Sequence, residues 1–356
     1  MRAFVISGPR EAAVIDVAPP VAGAGQVVVD VARVGLCGTD VELFDGTMPY
    51  LLDGSESYPI RPGHEWAGVV KDIGPDVDES WRGTAVTGDT MLGCGKCSRC
   101  LRGRHHVCAD RYEIGIRGGW PGALAEQLLV PVTALRRLPP GLDPSVGALV
   151  EPAGCALRAV DAAAIEPGHR VCVIGPGTLG LLAVQFAMLR GAIVDLVGVA
   201  GVDDARLSLG QEFGANTVTT SSLESASLYD AVIDTSNSPG VPALALSHVE
   251  PAGRLVLIGL ADTPSTIDSR HIAYRDVTVV GILAASAALD AAIQLLASGR
   301  VQTKPLIAAT VGLDRVADVF RGWRPPDAGP GPKFQVDPRP TGNATEIGPA
   351  ESDPRS

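Results

Sequence analysis

The sequence predicts an α/β protein in two parts, a turn-rich β part followed by a parallel α/β part, and three observations predict it. The first 150 residues carry short β-branched runs broken by Gly and Pro. From Glu151 an alanine-rich, helix-spaced stretch leads into strands that alternate with helices. The length, 356 residues, fits about two domains, and 46% hydrophobic against 19% charged residues allows a sizeable core. Aromatics supply only 4%, so that core must be aliphatic.

Taken in order, QVVVDVARV (26–34) and WAGVVKDIG (66–74) read as strands of a small barrel-like β unit, residues 1–150. EPAGCALRAVDAAAI, from Glu151, reads as the helix entering a second unit, residues 151–285. Residues 169–192, HRVCVIGPGTLGLLAVQFAMLRGA, read as strand, glycine turn and long helix. Further strands are expected over 193–199, 229–236, 254–260 and 277–283, with helices such as DDARLSLGQEFGA between them, so the sheet should be parallel. ALDAAIQLLASGRV is an amphipathic helix with Gly299 past its end. The helix LDRVADVFRGW and the strand PKFQVDP complete a return to the first unit over residues 286–338. Residues 339–356 have almost no apolar side chains and are expected to be disordered.

Composition excludes several classes. Forty acidic residues against 29 basic give a net charge of -11, which argues against a nucleic-acid surface that works by displacing counterions. The longest apolar runs are broken by Gly, Pro or charge, so no membrane span is expected. MRAFVISGPREAAVIDVAPP lacks the apolar stretch and cleavage site of a signal peptide. Four of the seven cysteines crowd into residues 94–108, which without an export signal reads as metal ligation in a reducing cytoplasm.

Gly175, Gly177 and Gly180, with Thr178 and Leu179 between them, form G-x-G-x-x-G between a predicted strand and a predicted helix. The first glycine permits the tight turn, the second lets backbone approach a pyrophosphate, and the third brings helix and strand together. The helix N-terminus then offers free N–H groups to phosphate. A dinucleotide, NAD or NADP, is expected here. The next strand ends at Gly198 without an acid for a ribose 2′-hydroxyl, and Asp203 and Asp204 read as the first turn of the following helix. Arg206 is positioned to meet a 2′-phosphate or to stand as an ordinary exposed arginine, and the balance favours NADP.

Cys94, Cys97, Cys100 and Cys108 have spacings that let one loop wrap four thiolates around a tetrahedral zinc, a closed structural site. Disulfides and an iron–sulfur cluster are the alternatives. His105 and His106, inside the same loop, are expected to face solvent. A second donor set is scattered: Cys37 in GLCGTD, His64 and Glu65 in RPGHEWAG, and Glu151 in ALVEPAG. One thiolate, one imidazole and carboxylates can hold zinc with a position left open for substrate. Thr39, two residues past Cys37, offers a hydroxyl to pass a proton outward. Cys155 and Cys172 read as packing residues.

The chain resembles the zinc-containing medium-chain dehydrogenase/reductase superfamily from Met1 to about residue 338. Its pattern G-H-E-x2-G-x5-G-x2-V is met by Gly63, His64, Glu65, Gly68, Gly74 and Val77, together with the cysteine lobe and GPGTLG. The resemblance implies a GroES-like catalytic domain interrupted by a Rossmann domain, with the active site between them. It further implies an alcohol dehydrogenase with catalytic and structural zinc, in a homo-oligomer of two or four chains. Glu151–Pro152 and the G-T-D after Cys37 resemble the polyol and sugar dehydrogenase branch, in which Cys37, His64 and either Glu65 or Glu151 would bind zinc. The substrate expected is a polar small-molecule alcohol: a polyol, sugar or cyclitol, or else an amino alcohol such as threonine. A non-catalytic NADP-binding protein with structural zinc alone is the reading from another class. GGWPGALAEQL and MPYLLDGSESYPI depart from the family pattern, either as a distinctive pocket or as plain loop variation.

Overall fold

The computed structural model describes residues 1–223 and 227–339. The expected disordered tail therefore lies outside the described residues, apart from Arg339, which pairs with Asp337 at 2.6 Å. Among the described residues no helix is long and apolar enough to cross a membrane.

The strands, in chain order, are β1 (Arg2–Gly8), β2 (Glu11–Asp16), β3 (Gln26–Gly35), β4 (Glu65–Ile73), β5 (Ala85–Gly88), β6 (Met91–Leu92), β7 (Tyr112–Glu113), β8 (Gln127–Pro131), β9 (Leu135–Arg137), β10 (Arg170–Ile174), β11 (Ile193–Gly198), β12 (Asn216–Thr219), β13 (Tyr229–Asp234), β14 (Val249–Leu257), β15 (Thr278–Gly281), β16 (Ile307–Gly312) and β17 (Lys333–Asp337). A seven-stranded sheet runs β16-β17-β3-β4-β5-β9, with β8 also paired to β3. Its centre is the antiparallel β3–β4 ladder, whose inward Val27, Val29, Val31, Val34, Trp66 and Val70 are fully buried. β17 joins this sheet from the far end of the chain and pairs with the end of β3, Val336 against Val34.

The second sheet runs β12-β11-β10-β13-β14-β15, all parallel. Its central strands RVCVI and YDAVID are almost continuously buried, as a sheet covered on both faces requires. The strand order reverses between β10 and β13, which opens a crevice at the carboxyl ends of those strands. The helix Thr178–Leu189 is apolar nearly all round because Leu181, Leu182, Val184 and Phe186 sit in the core beneath it. The helix Leu289–Ala297 shares that core with the junction helix Val150–Ala162, and the chain re-enters the seven-stranded sheet at β16.

Candidate active site

Cys37 ends the turn after β3 and starts the helix Gly38–Asp45. Asp40, three residues on, reaches back so that its Oδ2 accepts the Cys37 N–H at 2.9 Å, a capping arrangement. Its other oxygen accepts the Gly63 N–H at 3.2 Å and lies 3.4 Å from His64 Nδ1. One fully buried carboxylate thus positions both the cysteine and the histidine. Burial pulls the His64 imidazolium down, but Asp40 and Cys37 outweigh it and hold its pKa well above the ordinary value.

Glu65 begins β4 beside Gly35, with which it is paired. A Cβ at residue 35 would stand 2.1 Å from Glu65 Oε2, so only glycine leaves room for that carboxylate. Donor atoms of Cys37, His64 and Glu65 lie within 4.8 Å of one another, all reached from β3 or β4. Glu151, in the first turn of the junction helix, stands outside this triplet. Burial, with Glu65 as a like charge, pushes its carboxyl up to about 7 against the opposing pull of His64. Thr39 is half-buried in the first turn after Cys37.

Several residues around this triplet carry no motif. Lys333, the first residue of β17, is buried at 3% exposure, and its Nζ donates to Glu65 Oε1 at 2.8 Å, Glu65 Oε2 at 2.7 Å and the Leu36 carbonyl at 2.8 Å. All three ammonium protons are thereby used. Burial pulls this ammonium down, but Glu65 and Cys37 outweigh it and leave its pKa raised. Thr90 Oγ1 donates to the His64 carbonyl at 3.2 Å. Cys155, expected only to fill space, directs its thiol at Glu151 Oε1, 3.4 Å away. The one local signal available was Asp40, at capping-box distance from Cys37.

Cys94, Cys97, Cys100 and Cys108 have sulfur atoms within 4.8 Å of one another. The Cys97–Cys108 and Cys94–Cys100 separations are 3.7 and 4.0 Å, so neither pair is a disulfide. A tetrahedral ion with metal–sulfur bonds of about 2.3 Å has sulfur–sulfur edges of about 3.8 Å. The Cys100 N–H points at Cys97 Sγ at 3.5 Å and holds that thiol down to about 6, in the thiolate range at neutral pH. The expectation that His105 and His106 face solvent is corrected. His106 is buried, and His105 Nε2 sits 2.7 Å from Asp89 Oδ2, because the loop folds back on β5 and β6 rather than outward.

At the end of β10, Gly175 has φ +102°. A Cβ on Gly180 would fall 1.9 Å from the Gly175 carbonyl, so the third glycine is what lets the helix approach the strand. Nothing stands within 4 Å of where a Gly177 side chain would be, which leaves space over the N-terminus of the helix Thr178–Leu189 for a phosphate. Thr178 and Leu179 form its first turn. Gly198 ends β11, where a Cβ would press on Pro176 and Asp203. Asp203 and Asp204 cap the turn, accepting the Val199 and Gly201 N–H groups at 2.9 Å. Arg206, in the helix Asp204–Glu212, lies 3.5 Å from Asp203 and stays partly exposed.

Both donor sets therefore fit zinc by chemistry and spacing, and the glycine cradle fits a dinucleotide pyrophosphate. The comparisons agree with that class of protein. Residues 23–140 match the alcohol dehydrogenase GroES-like domain, and residues 178–298 match the zinc-binding dehydrogenase domain. The 2-dehydro-3-deoxy-L-galactonate 5-dehydrogenase of Pseudoalteromonas atlantica is 31% identical over 309 residues, covering 83% of this chain and 87% of that protein. The L-threonine 3-dehydrogenase of Pyrococcus horikoshii is 30% identical over 331 residues, 88% of this chain and 92% of the relative. A solved zinc-binding dehydrogenase of Sinorhizobium meliloti, bound to NADP, has a TM-score of 0.85 and 30% identity over 95% of this chain and 99% of its own. The chain belongs to the zinc-containing medium-chain dehydrogenase/reductase family, with its GroES-like and Rossmann-like parts. It is a zinc-type, NAD(P)-dependent alcohol oxidoreductase, which removes the non-catalytic alternative.

Proposed function

We propose that the chain interconverts a secondary alcohol of a polyol, sugar or cyclitol and its ketone, with Cys37, His64 and one of Glu65 or Glu151 holding the catalytic zinc. The observation that carries the reading is the triplet of thiolate, imidazole and carboxylate donors within 4.8 Å, with Glu151 beside it. When bound, zinc supplies Lewis acidity that eases loss of the hydroxyl proton, and the nicotinamide accepts hydride. Asp40 orients Cys37 and His64, and Lys333 holds Glu65. Thr39 Oγ1 moves the released proton outward from beside Cys37. Cys94, Cys97, Cys100 and Cys108 hold the structural zinc. Gly175, Gly177, Thr178, Leu179 and Gly180 cradle the pyrophosphate, with Gly198 and Arg206 at the adenosine end. NADP is favoured because Asp203 and Asp204 are spent on backbone N–H groups and Arg206 remains half-exposed beside them.

A sugar-acid dehydrogenase among the relatives supports the polyhydroxylated substrate, while the threonine dehydrogenase supports an amino alcohol as the second reading. The deciding test is cofactor reduction with NAD and NADP against polyols, sugars, cyclitols and amino alcohols. Turnover on polyhydroxylated substrates that is abolished by a chelator is expected. Turnover on amino alcohols alone would favour the second reading, and turnover that survives removal of the catalytic zinc would sink the proposed site.

A further inference from the structure

Asp89, between β5 and β6, is buried at 2% exposure, and it spends both oxygens on partners distant in the chain. Oδ2 meets His105 Nε2 at 2.7 Å, within the loop that carries Cys100 and Cys108. Oδ1 accepts the Met91 N–H at 3.0 Å and the Ser286 hydroxyl at 2.9 Å. Ser286 is itself buried and lies just beyond β15. The same stretch is gripped from its other side. Arg158, on the junction helix that carries Glu151 in its first turn, donates to the carbonyls of Leu283 and Ala284. Gly154 of that helix is packed so closely that a Cβ there would stand 2.7 Å from the Ala285 Cβ. Ala284 is held at φ +62°, a conformation that residues with a side chain rarely adopt.

Segment 283–286 leaves the carboxyl end of β15, on the same edge of the sheet as Gly175 after β10 and Ser236 after β13. That edge is where a doubly wound sheet receives its dinucleotide, the glycine turn taking one half and the later strands the other. We propose that Asp89 is a positioning residue that, held by His105 of the cysteine lobe, fixes segment 283–286 for the second half of the cofactor. The lobe and the cofactor cleft are then coupled through one carboxylate. The inference rests on the dinucleotide reading above. The three side chains act as a unit because losing His105 takes the donor from Asp89 Oδ2, while losing Ser286 leaves Oδ1 with the Met91 N–H alone and frees segment 283–286 from the carboxylate.

The test uses zinc-loaded full-length enzyme and the dissociation constants of NADPH and NADH, read by fluorescence, for wild type, Ser286→Ala, His105→Ala, His105→Gln and the Ser286→Ala/His105→Ala double variant. Each alanine variant is expected to weaken nucleotide binding about tenfold. The double variant should be no weaker than the worse single, since the links are in series. His105→Gln, which keeps a donor toward Asp89, should recover much of the loss, and the KM for the alcohol at saturating cofactor should not move. A Ser286→Ala constant within twofold of wild type overturns the proposal whatever happens to the lobe. Multiplying losses in the double variant overturn it as well. Failure of the wild-type protein to bind either nucleotide would instead refute the dinucleotide reading itself.

Discussion

Replacing Lys333 with methionine removes the ammonium and keeps most of the side-chain volume. The Glu65 carboxylate, 1% exposed, loses two charge-assisted hydrogen bonds at 2.8 and 2.7 Å, and the Leu36 carbonyl loses its donor. Breaking a buried pair from one side costs about 3–5 kcal/mol, because the remaining charge is left uncompensated. At about 2–4 °C per kcal/mol for a sizeable domain, the melting midpoint should fall by about 6–20 °C. Removing both charges is different, since a buried pair replaced by neutral groups of like volume is often close to neutral. Lys333→Met/Glu65→Gln should therefore melt well above Lys333→Met alone, a non-additivity that exposed pairs do not show. The assay is thermal unfolding of protein whose Cys37 centre has been emptied of metal, so that Lys333 is the cation on Glu65, followed by tryptophan fluorescence with Trp66 buried next to Glu65 as one reporter. A loss below about 1 kcal/mol for Lys333→Met, or strict additivity in the double variant, would refute the reasoning.

Four further outcomes are expected. Cys97→Ser should remove one zinc per chain by elemental analysis while leaving the Cys37 centre loaded, since the lobe needs all four thiolates to close its tetrahedron. Gly180→Ala should weaken NAD(P) binding at least tenfold in a fluorescence titration, because its Cβ would fall 1.9 Å from the Gly175 carbonyl and helix and strand must part. Arg206→Ala should cut the preference for NADP over NAD by about tenfold or more in kcat/KM, the order of one charge-assisted hydrogen bond to a phosphate. Asp337 is the pH case. Burial raises its carboxyl, but hydrogen bonds from Arg339 and the charge of Arg33 outweigh that and leave its pKa lowered. A carboxyl depressed on folding adds stability that is fully present above its unfolded value near 3.8 and lost as pH falls through the folded value. Asp337→Asn should therefore cost a few tenths to about 1 kcal/mol at pH 7, and that cost should shrink as the pH is taken below 3.8 in urea unfolding.

What the sequence made legible is what lies within a few residues of itself. The glycine turn announces the nucleotide crevice because strand, turn and helix are consecutive, and Gly175, Gly177 and Gly180 are placed as that pattern requires. The cysteine lobe is legible for the same reason, all four sulfurs lying on one loop. Periodicity located β3, β4, β10 and β13, whose apolar runs are buried on one face or both. The strand β12, Asn216–Thr219, gave no such signal: two of its residues are exposed at the sheet's edge, and pairing with β11 rather than its own pattern makes it a strand.

The contacts that set the chemistry of the centre were not legible, and the physical reason is their range. Lys333 and Glu65 are 268 residues apart, and Asp89 and Ser286 are 197 apart. A lysine opening PKFQVDP looks like any charged strand end, and its burial depends on β17 closing against β3. The same holds for His105: a histidine in a polar loop reads as solvated until Asp89 is brought to 2.7 Å. The Lys333–Glu65 pair ties together the two halves of the interrupted seven-stranded sheet, and the Asp89–Ser286 bond ties that part to the parallel one, since Ser286 lies just beyond β15. A motif can specify which atoms bind a metal, because that demand is local. The partners that hold those atoms are drawn from wherever the chain returns, so in this fold the fine control of the site falls to residues that no motif contains.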